Sequence, residues 1–434
     1  MYISNVLENF LIKDTRKSSA FTKTSISGYK TKAVNEQLHN SIIAGNIESA
    51  CYWSAELISS LKSDNVWKII MTILTNDINI GNPNLPNYIW TEYNSYLNIC
   101  KFIDNTRIRN SQIIRNHLAE IVSILCTSIK NTQRVKLPSI SVTELNLDKI
   151  EKALIGKKHN LIEPLIKDGD AEEIKIAINE FMNYIFTEPG SKLTTLSRFN
   201  GCLFWITWTE KWQKYCLNKI GKYGCASRNR NNLDSDTSRN CIWFIWKGMM
   251  HLAESSRNDS LQQNIYALHN LYLYNYSPSK KTSKAPILYN AILLLIEKIN
   301  WNTPIYNKSE LITRAIANIN LIYSKINSEA DKQYKPVEIS DYHKKNIKQP
   351  NIQLTGGVSK EDLEKIDNRR NYLEMQNQKP KVISKPDKPY IVVENQPVNN
   401  NTSHNSNINN VIENLQSCMG GNNMGGVRTI KFNK

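Results

Sequence analysis

From Thr31 onward the apolar residues of this chain recur at three- and four-residue spacing, a rhythm that an amphipathic helix satisfies and a strand does not. Val34, Leu38, Ile42 and Ile43 make the first stripe, which Gly45 ends in the position of a C′ cap. Asn46 is placed to cap a second helix that carries Ile47, Ala50, Cys51, Ser54, Leu57, Ile58 and Leu61 on one face, with Glu48 in its first turn. Asp64 is expected to cap a third, with Val66, Ile69, Ile70, Ile73 and Leu74 inside. Gly81-Asn-Pro-Asn-Leu-Pro86 breaks the pattern, and two further helices are expected at 87–102 and 106–130. Glycine, at 16 of 434 residues, and proline, at 14, are too scarce for a sandwich or barrel that turns about every ten residues. The predicted class is all-α, a multi-helix bundle in two helical modules.

Ser141 with Glu144 and Asp170 with Glu173 stand at capping-box spacing and mark helix starts in the second module. The latter introduces Ile174, Ile176, Ala177, Ile178, Phe181 and Ile185, and the stretch ends at Glu188-Pro-Gly190. An aromatic region follows, with Phe204, Trp205, Trp208 and Trp212 and then Trp243, Phe244 and Trp246. Such rings either anchor a core or stack on unpaired bases; the spacing of Trp205, Trp208 and Trp212 along one helical face favours the core. Helices are expected at 238–254, 259–274, 287–299 and 309–327. Residues 1–30, with Lys13, Arg16, Lys17, Lys23 and Lys30 and little periodicity, read as a basic N-terminal arm. The expected organisation is therefore an arm at 1–30, a first module at 31–136, an aromatic-rich module at 137–327 and a tail at 328–434. The tail holds six of the 14 prolines and several Asn runs, which read as flexible and basic. Ser359-Lys-Glu-Asp362 with Leu363, Ile366 and Tyr372 predicts a short amphipathic helix near 359–376.

Catalytic motifs are missing from the pattern. Gly356-Gly-Val-Ser-Lys360 imitates a phosphate loop with the wrong spacing and reads as a turn before a helix. Cysteine and histidine never pair at zinc-ligand spacing. Cys202, Cys216, Cys225 and Cys241 read as buried thiols, and His39, His117, His159, His251, His269, His343 and His404 as surface or satisfied core residues. Lys167-Asp-Gly-Asp170 lacks the further oxygen ligands of a calcium loop, so capping by Asp170 explains it better. The expectation is no catalytic residue, no cofactor and no metal. The first residues do not read as a secretory signal, no apolar run is long enough to span a bilayer, and the eight cysteines read as reduced, which together predict a cytosolic chain.

Lys plus Arg number 55 against 39 Asp plus Glu, a net charge of +16 that predicts a polyanion or an acidic protein surface as partner. The candidate polyanion contacts are Arg107, Arg109 and Arg115 on one predicted helix and Lys219, Lys222, Arg228 and Arg230, with Arg239, around a Gly/Asn-rich loop. The competing reading is a solvated loop balanced by Asp234 and Asp236.

Over roughly 28–327 the chain resembles a protein family of nucleocytoplasmic large DNA (giant) viruses. The stretches that carry the resemblance are Ala33-Val-Asn-Glu-Gln-Leu-His-Asn40, Gly45-Asn-Ile-Glu-Ser-Ala-Cys-Tyr-Trp-Ser-Ala-Glu-Leu57, Gly81 to Pro86, Ala177-Ile-Asn-Glu-Phe181 and Cys241-Ile-Trp-Phe-Ile-Trp246. The resemblance implies a virus-encoded protein of the virion or the virus factory in the host cytoplasm. Locally, Gly45-Asn46, Tyr52-Trp53 and Asp77-Ile-Asn-Ile-Gly-Asn-Pro83 are similar to the helical oligomerisation module of clamp-loader-like AAA+ proteins. Asn79 stands where that motif has glycine, and the ATPase half is absent. This second resemblance implies an assembly surface around Tyr52 and Trp53 without ATP hydrolysis. The functional expectation is a non-enzymatic structural or assembly protein, a minor capsid or virion-associated component, that docks on other virion proteins or on itself. The alternative is a DNA-binding accessory of replication or packaging, in which charge reversal at Arg228 and Arg230 weakens binding.

Overall fold

Within the stretch expected as a basic N-terminal arm, residues 12–29 form a strap docked on the helices. In the computed structural model, which describes residues 11–132, 135–149, 154–156, 160–186, 192–228, 233–306 and 308–330, Ile12, Phe21, Ile26 and Tyr29 are buried. Asn110 holds Ile12 at both ends of its backbone, accepting from its N–H and donating to its carbonyl, each at 3.0 Å. The Arg109 guanidinium donates to the carbonyls of Asp14 and Arg16 at 2.8 and 2.7 Å, and Glu56 accepts from the Ser27 N–H and hydroxyl at 3.0 and 2.9 Å. A segment without helical periodicity thus enters the core because side chains of other elements satisfy its backbone.

The strap leads into α1 (Thr31–Ile43), α2 (Ile47–Ser59) and α3 (Ser63–Ile73). Asn46 caps α2 as expected, accepting from the Ser49 N–H at 3.0 Å, whereas Asp64 lies in the first turn of α3 and caps nothing. A π-turn, Leu74–Ile78, then carries the chain to the Gly81-to-Pro86 break and α4 (Leu85–Cys100). The single helix expected over 106–130 is divided into one turn, α5 (Asn105–Ile108), and α6 (Gln112–Thr127), which Ser111 caps. Strap docking explains the break, since Arg109 and Asn110 both turn their side chains onto residues 12–16.

Ser141 and Glu144 form the expected capping box, although the helix they start is a single 3-10 turn, Val142–Leu145. After it come α7 (Glu172–Ile185), α8 (Thr195–Ile220), the one-turn α9 (Ser235–Ser238), α10 (Ile242–Ser255), α11 (Asp259–Leu273), α12 (Lys281–Ile296) and α13 (Ser309–Ala330). Among the described residues the protein is all-α, with one isolated β-bridge between Thr24 and Lys30.

The described residues belong to one unit, and no division falls at 136. The last described helix, α13, packs on α2 and α6, and α11 packs on α4, so the two expected modules share a core. The tail boundary also shifts: α13 runs to Ala330, Asn327 accepts from the Lys13 N–H, and Glu329 accepts from the Tyr52 hydroxyl at 2.5 Å. The amphipathic helix expected near 359–376 lies outside the described residues.

Candidate docking interface

A positive sequence does not place its charge on the surface by default. Arg228, expected to meet phosphate, is 5% exposed and grips both carboxylate oxygens of Asp170 at 2.9 Å, with its guanidinium 3.6 Å above the Phe244 ring. Asp170 also accepts from the N–H groups of Lys167 and Ala226, so it seals a loop instead of capping α7, whose N-cap is Ala171. Burial alone pushes the Asp170 carboxyl upward, but the Arg228 hydrogen bonds and charge, with the two backbone donors, hold it below the usual carboxylate value.

Arg109 and Arg115 are buried too. Arg109 secures the strap, and Arg115 donates to the Asn110 carbonyl at 2.7 Å and to Asn320 Oδ1 at 3.1 Å while lying 4.9 Å from the Tyr323 ring. Arg107 is exposed beside Asp104, three residues earlier, at 3.7 Å. Lys219 and Lys222 are exposed, and Arg230 lies outside the described residues. Arg239 is exposed, and of the eight candidate polyanion residues three, Arg109, Arg115 and Arg228, serve the interior, so the set does not converge.

Three further cations, which the sequence reading passed over, also serve the interior. Arg198, in the first turn of α8, donates to the carbonyls of Tyr184 and Ile185 at the end of α7 and of Ile296 at the end of α12. Lys130 donates to Leu125, Cys126 and Ser128 at the end of α6, and Lys284 to Leu271 near the end of α11. Each places positive charge on carbonyls that a helix leaves without intrahelical partners. Lys130, just past its own helix, was readable from position, whereas Arg198 and Lys284, near the start of one helix, meet the end of another only after tertiary packing.

Tyr52 and Trp53, expected as an assembly surface, are buried. Trp53 packs edge-on against Tyr29 and Tyr52 with centroids 5.5 and 5.0 Å apart, so strap and α13 cover the residues that the AAA+ resemblance exposes. Trp205, Trp208 and Trp212 are core residues as their spacing predicted, and Trp208 donates its indole N–H to the Glu144 carbonyl at 2.7 Å.

One group of exposed apolar side chains lies at the end of α8. Thr194 caps this 26-residue helix, and α7 runs antiparallel along it. At one end Gly201 lies against Tyr184, where a Cβ would come within 2.2 Å of the ring; at the other, Glu173 lies near Cys216. The first turn of α7, which begins at Glu172, lies near Cys216. The core-facing stripe through Thr209, Gln213 and Cys216 continues to Ile220, four residues beyond Cys216 on the same face. Cys216 is 5% exposed and Ile220 63%. Leu217 lies beside it at 39%, and Tyr215 is 41% exposed.

Lys214, Lys219 and Lys222, all exposed, lie within the same stretch of chain, and Gly221, at φ 70°, ends the helix in the left-handed conformation that glycine tolerates. The lysines sit where the helix dipole is negative, so the placement costs the helix nothing. Nearby acids are Glu173, beside Cys216, and Asp236, which hydrogen-bonds Tyr223. Tyr215, Leu217 and Ile220 were missed as site residues, although the run of the stripe past Cys216 was readable in the sequence.

At the opposite end of the α7–α8 hairpin a half-open cleft of about 360 Å³ is lined by Leu161, Ile185, Phe186, Leu252 and Leu295, with His251 as its titratable group. Among the described residues, no group of three His, Cys, Asp or Glu side chains is arranged to hold a metal ion, and no helix is long and apolar enough to cross a membrane. Burial pushes the Cys51 thiol up to about 12, against the low values of nucleophilic thiols. No family model, curated protein or solved structure matches this chain.

Proposed function

We propose that this protein is a non-enzymatic assembly component that docks through the exposed end of α8 onto an acidic partner surface carrying an apolar ridge. The observation that carries the reading is Ile220, which continues the core-facing stripe of α8 yet is 63% exposed, with exposed Lys214, Lys219 and Lys222 close to it in the chain. Burying Ile220 and Leu217 supplies non-directional affinity, and the lysines select against basic partners and speed encounter with acidic ones. An acidic protein fits better than duplex DNA, because phosphates gain nothing from the aliphatic pair, and Arg228 is committed to Asp170. With the resemblance of the body to a giant-virus family, the proposed setting is a virion or virus factory, with the chain as a minor component of a capsid's inner layer.

Quantitative mass spectrometry of purified particles against whole lysate tests this. The wild-type chain should be enriched in particles, and a Lys214→Glu/Lys219→Glu/Lys222→Glu variant of unchanged melting temperature should not. Presence only with replicating DNA, or equal enrichment of the variant, contradicts it.

A further inference from the structure

Two of the buried thiols adjoin each other. Cys225 lies in the loop after α8 and Cys241 is the N-cap of α10, and other groups pin the two stretches together. The Gln213 amide donates to the carbonyls of Tyr223 and Arg239 at 3.1 and 2.9 Å and accepts from the Cys241 N–H at 3.2 Å. The Arg228 N–H donates to the Ser238 carbonyl at 3.0 Å, and the Ser227 and Ser238 hydroxyls lie 2.6 Å apart. So held, the Cys225 and Cys241 thiols hydrogen-bond each other, whereas Cys51 faces Ser123 Oγ at 3.9 Å and Cys202 the Phe181 carbonyl at 3.8 Å. Among the described residues no third side chain completes a metal set with the pair, so the chemistry open to it is oxidation. We propose that Cys225 and Cys241 are a dithiol oxidised by peroxide, whose disulfide latches the connection between α8 and α10.

Arg228 supplies the electrostatics. Its Nη1 donates to Cys225 Sγ at 3.2 Å as well as to Asp170 and the Ala226 carbonyl, so positive charge faces that sulfur as it attacks. Burial, and then the hydrogen bond with Cys225, push the Cys241 thiol up, so it keeps its proton and reacts second. In the first step the Cys225 sulfur attacks one peroxide oxygen and the O–O bond breaks. The departing hydroxide takes the thiol proton and leaves as water, and the sulfur becomes a sulfenic acid. Cys241 then attacks that sulfur: an S–S bond forms, the S–O bond breaks, and the Cys241 proton leaves with the hydroxyl as a second water. Two thiols and one hydrogen peroxide thus give one disulfide and two waters. Cys225 is 4% exposed, and hydrogen peroxide, little larger than water, reaches a sulfur that a bulky disulfide reagent does not. The bond encloses residues 226–240, Arg228 among them, and is independent of the docking reading above.

The test treats the reduced full chain with hydrogen peroxide at neutral pH, then alkylates it in denaturant and cuts it with trypsin. Cleavage after Lys222, Arg228, Arg239 and Lys247 isolates the two cysteines in peptides 223–228 and 240–247. The expected product is these peptides joined, lighter than their sum by two hydrogens, with Cys202 still alkylated. The melting temperature should rise by about 4 °C and return with dithiothreitol. Cys241→Ser should stop at the sulfenic acid, which dimedone traps on Cys225, and Cys225→Ser should leave Cys241 unoxidised; neither should gain the melting shift. Circular dichroism checks that both variants fold, and the wild-type peptide map decides by itself if one does not. Peroxide that leaves both cysteines alkylated, or that links them to Cys100 or Cys216 in preference to each other, overturns the inference. So does equal oxidation of Cys241 in Cys225→Ser.

Discussion

Asp170 and Arg228 illustrate how one pair decides what the charge of a region means. Both are buried, and each supplies what the other would otherwise lack. Asp170→Ala should destabilise the protein by about 3–5 kcal/mol in urea unfolding, because it leaves a guanidinium uncompensated. The folded Asp170 carboxyl titrates below its unfolded value, so its contribution is present above the ordinary carboxylate range and fades as pH falls through the lowered folded value. Asp170→Asn should flatten that acid limb of the stability curve. His39 has the opposite sign: the hydrogen bond to Asp77, at 3.1 Å, raises its pKa against the effect of burial. Its contribution is complete below the usual imidazole value and is lost as pH rises through the raised one. Proton NMR titration should find the His39 midpoint above 6.5, and His39→Gln should remove the corresponding neutral-pH slope in stability.

At the scale of elements, helix ends matter more than helix faces for what the sequence conceals. The stripes of α1, α2, α7 and α13 are readable because burial on one face imposes a 3.6-residue period. The split between α5 and α6 is not, since it depends on Arg109 and Asn110 reaching a strap nearly a hundred residues away. Arg198 is the analogous case for α7, α8 and α12. Arg198→Ala should cost about 2 kcal/mol by leaving charge-assisted bonds to carbonyls unmade. Amide exchange should then accelerate in the last turns of α7 and α12 while the centre of α8 stays protected; uniform acceleration would assign Arg198 a different role. Ile220→Ser acts at a side chain 63% exposed and should leave the melting temperature within about 1 °C.

Across the whole molecule, the helical class was legible because it follows from local periodicity, and the placement of charge was not, because it follows from packing. Strap residues Phe21 and Ile26 looked like part of an arm because their covers are distant in sequence, whereas Tyr52 and Trp53 took a surface role from the AAA+ resemblance, and the strap and α13 cover them. The cysteines follow the same logic with a better outcome, as apolar neighbours foretold their burial. Cys51, Cys126, Cys202, Cys216, Cys225 and Cys241 should resist a disulfide reagent in the native protein and react on unfolding, ahead of which Cys100, the partly exposed one among the described residues, should react. The account as a whole turns on the α8 end being covered when the protein works. A photo-crosslinking residue at position 220, read by mass spectrometry in the assembled material, addresses this directly, with position 321 on α13, itself 54% exposed, as control. Crosslinks from 220 to an acidic segment, and few from 321, are predicted; a silent 220 beside a reactive 321 would contradict the account.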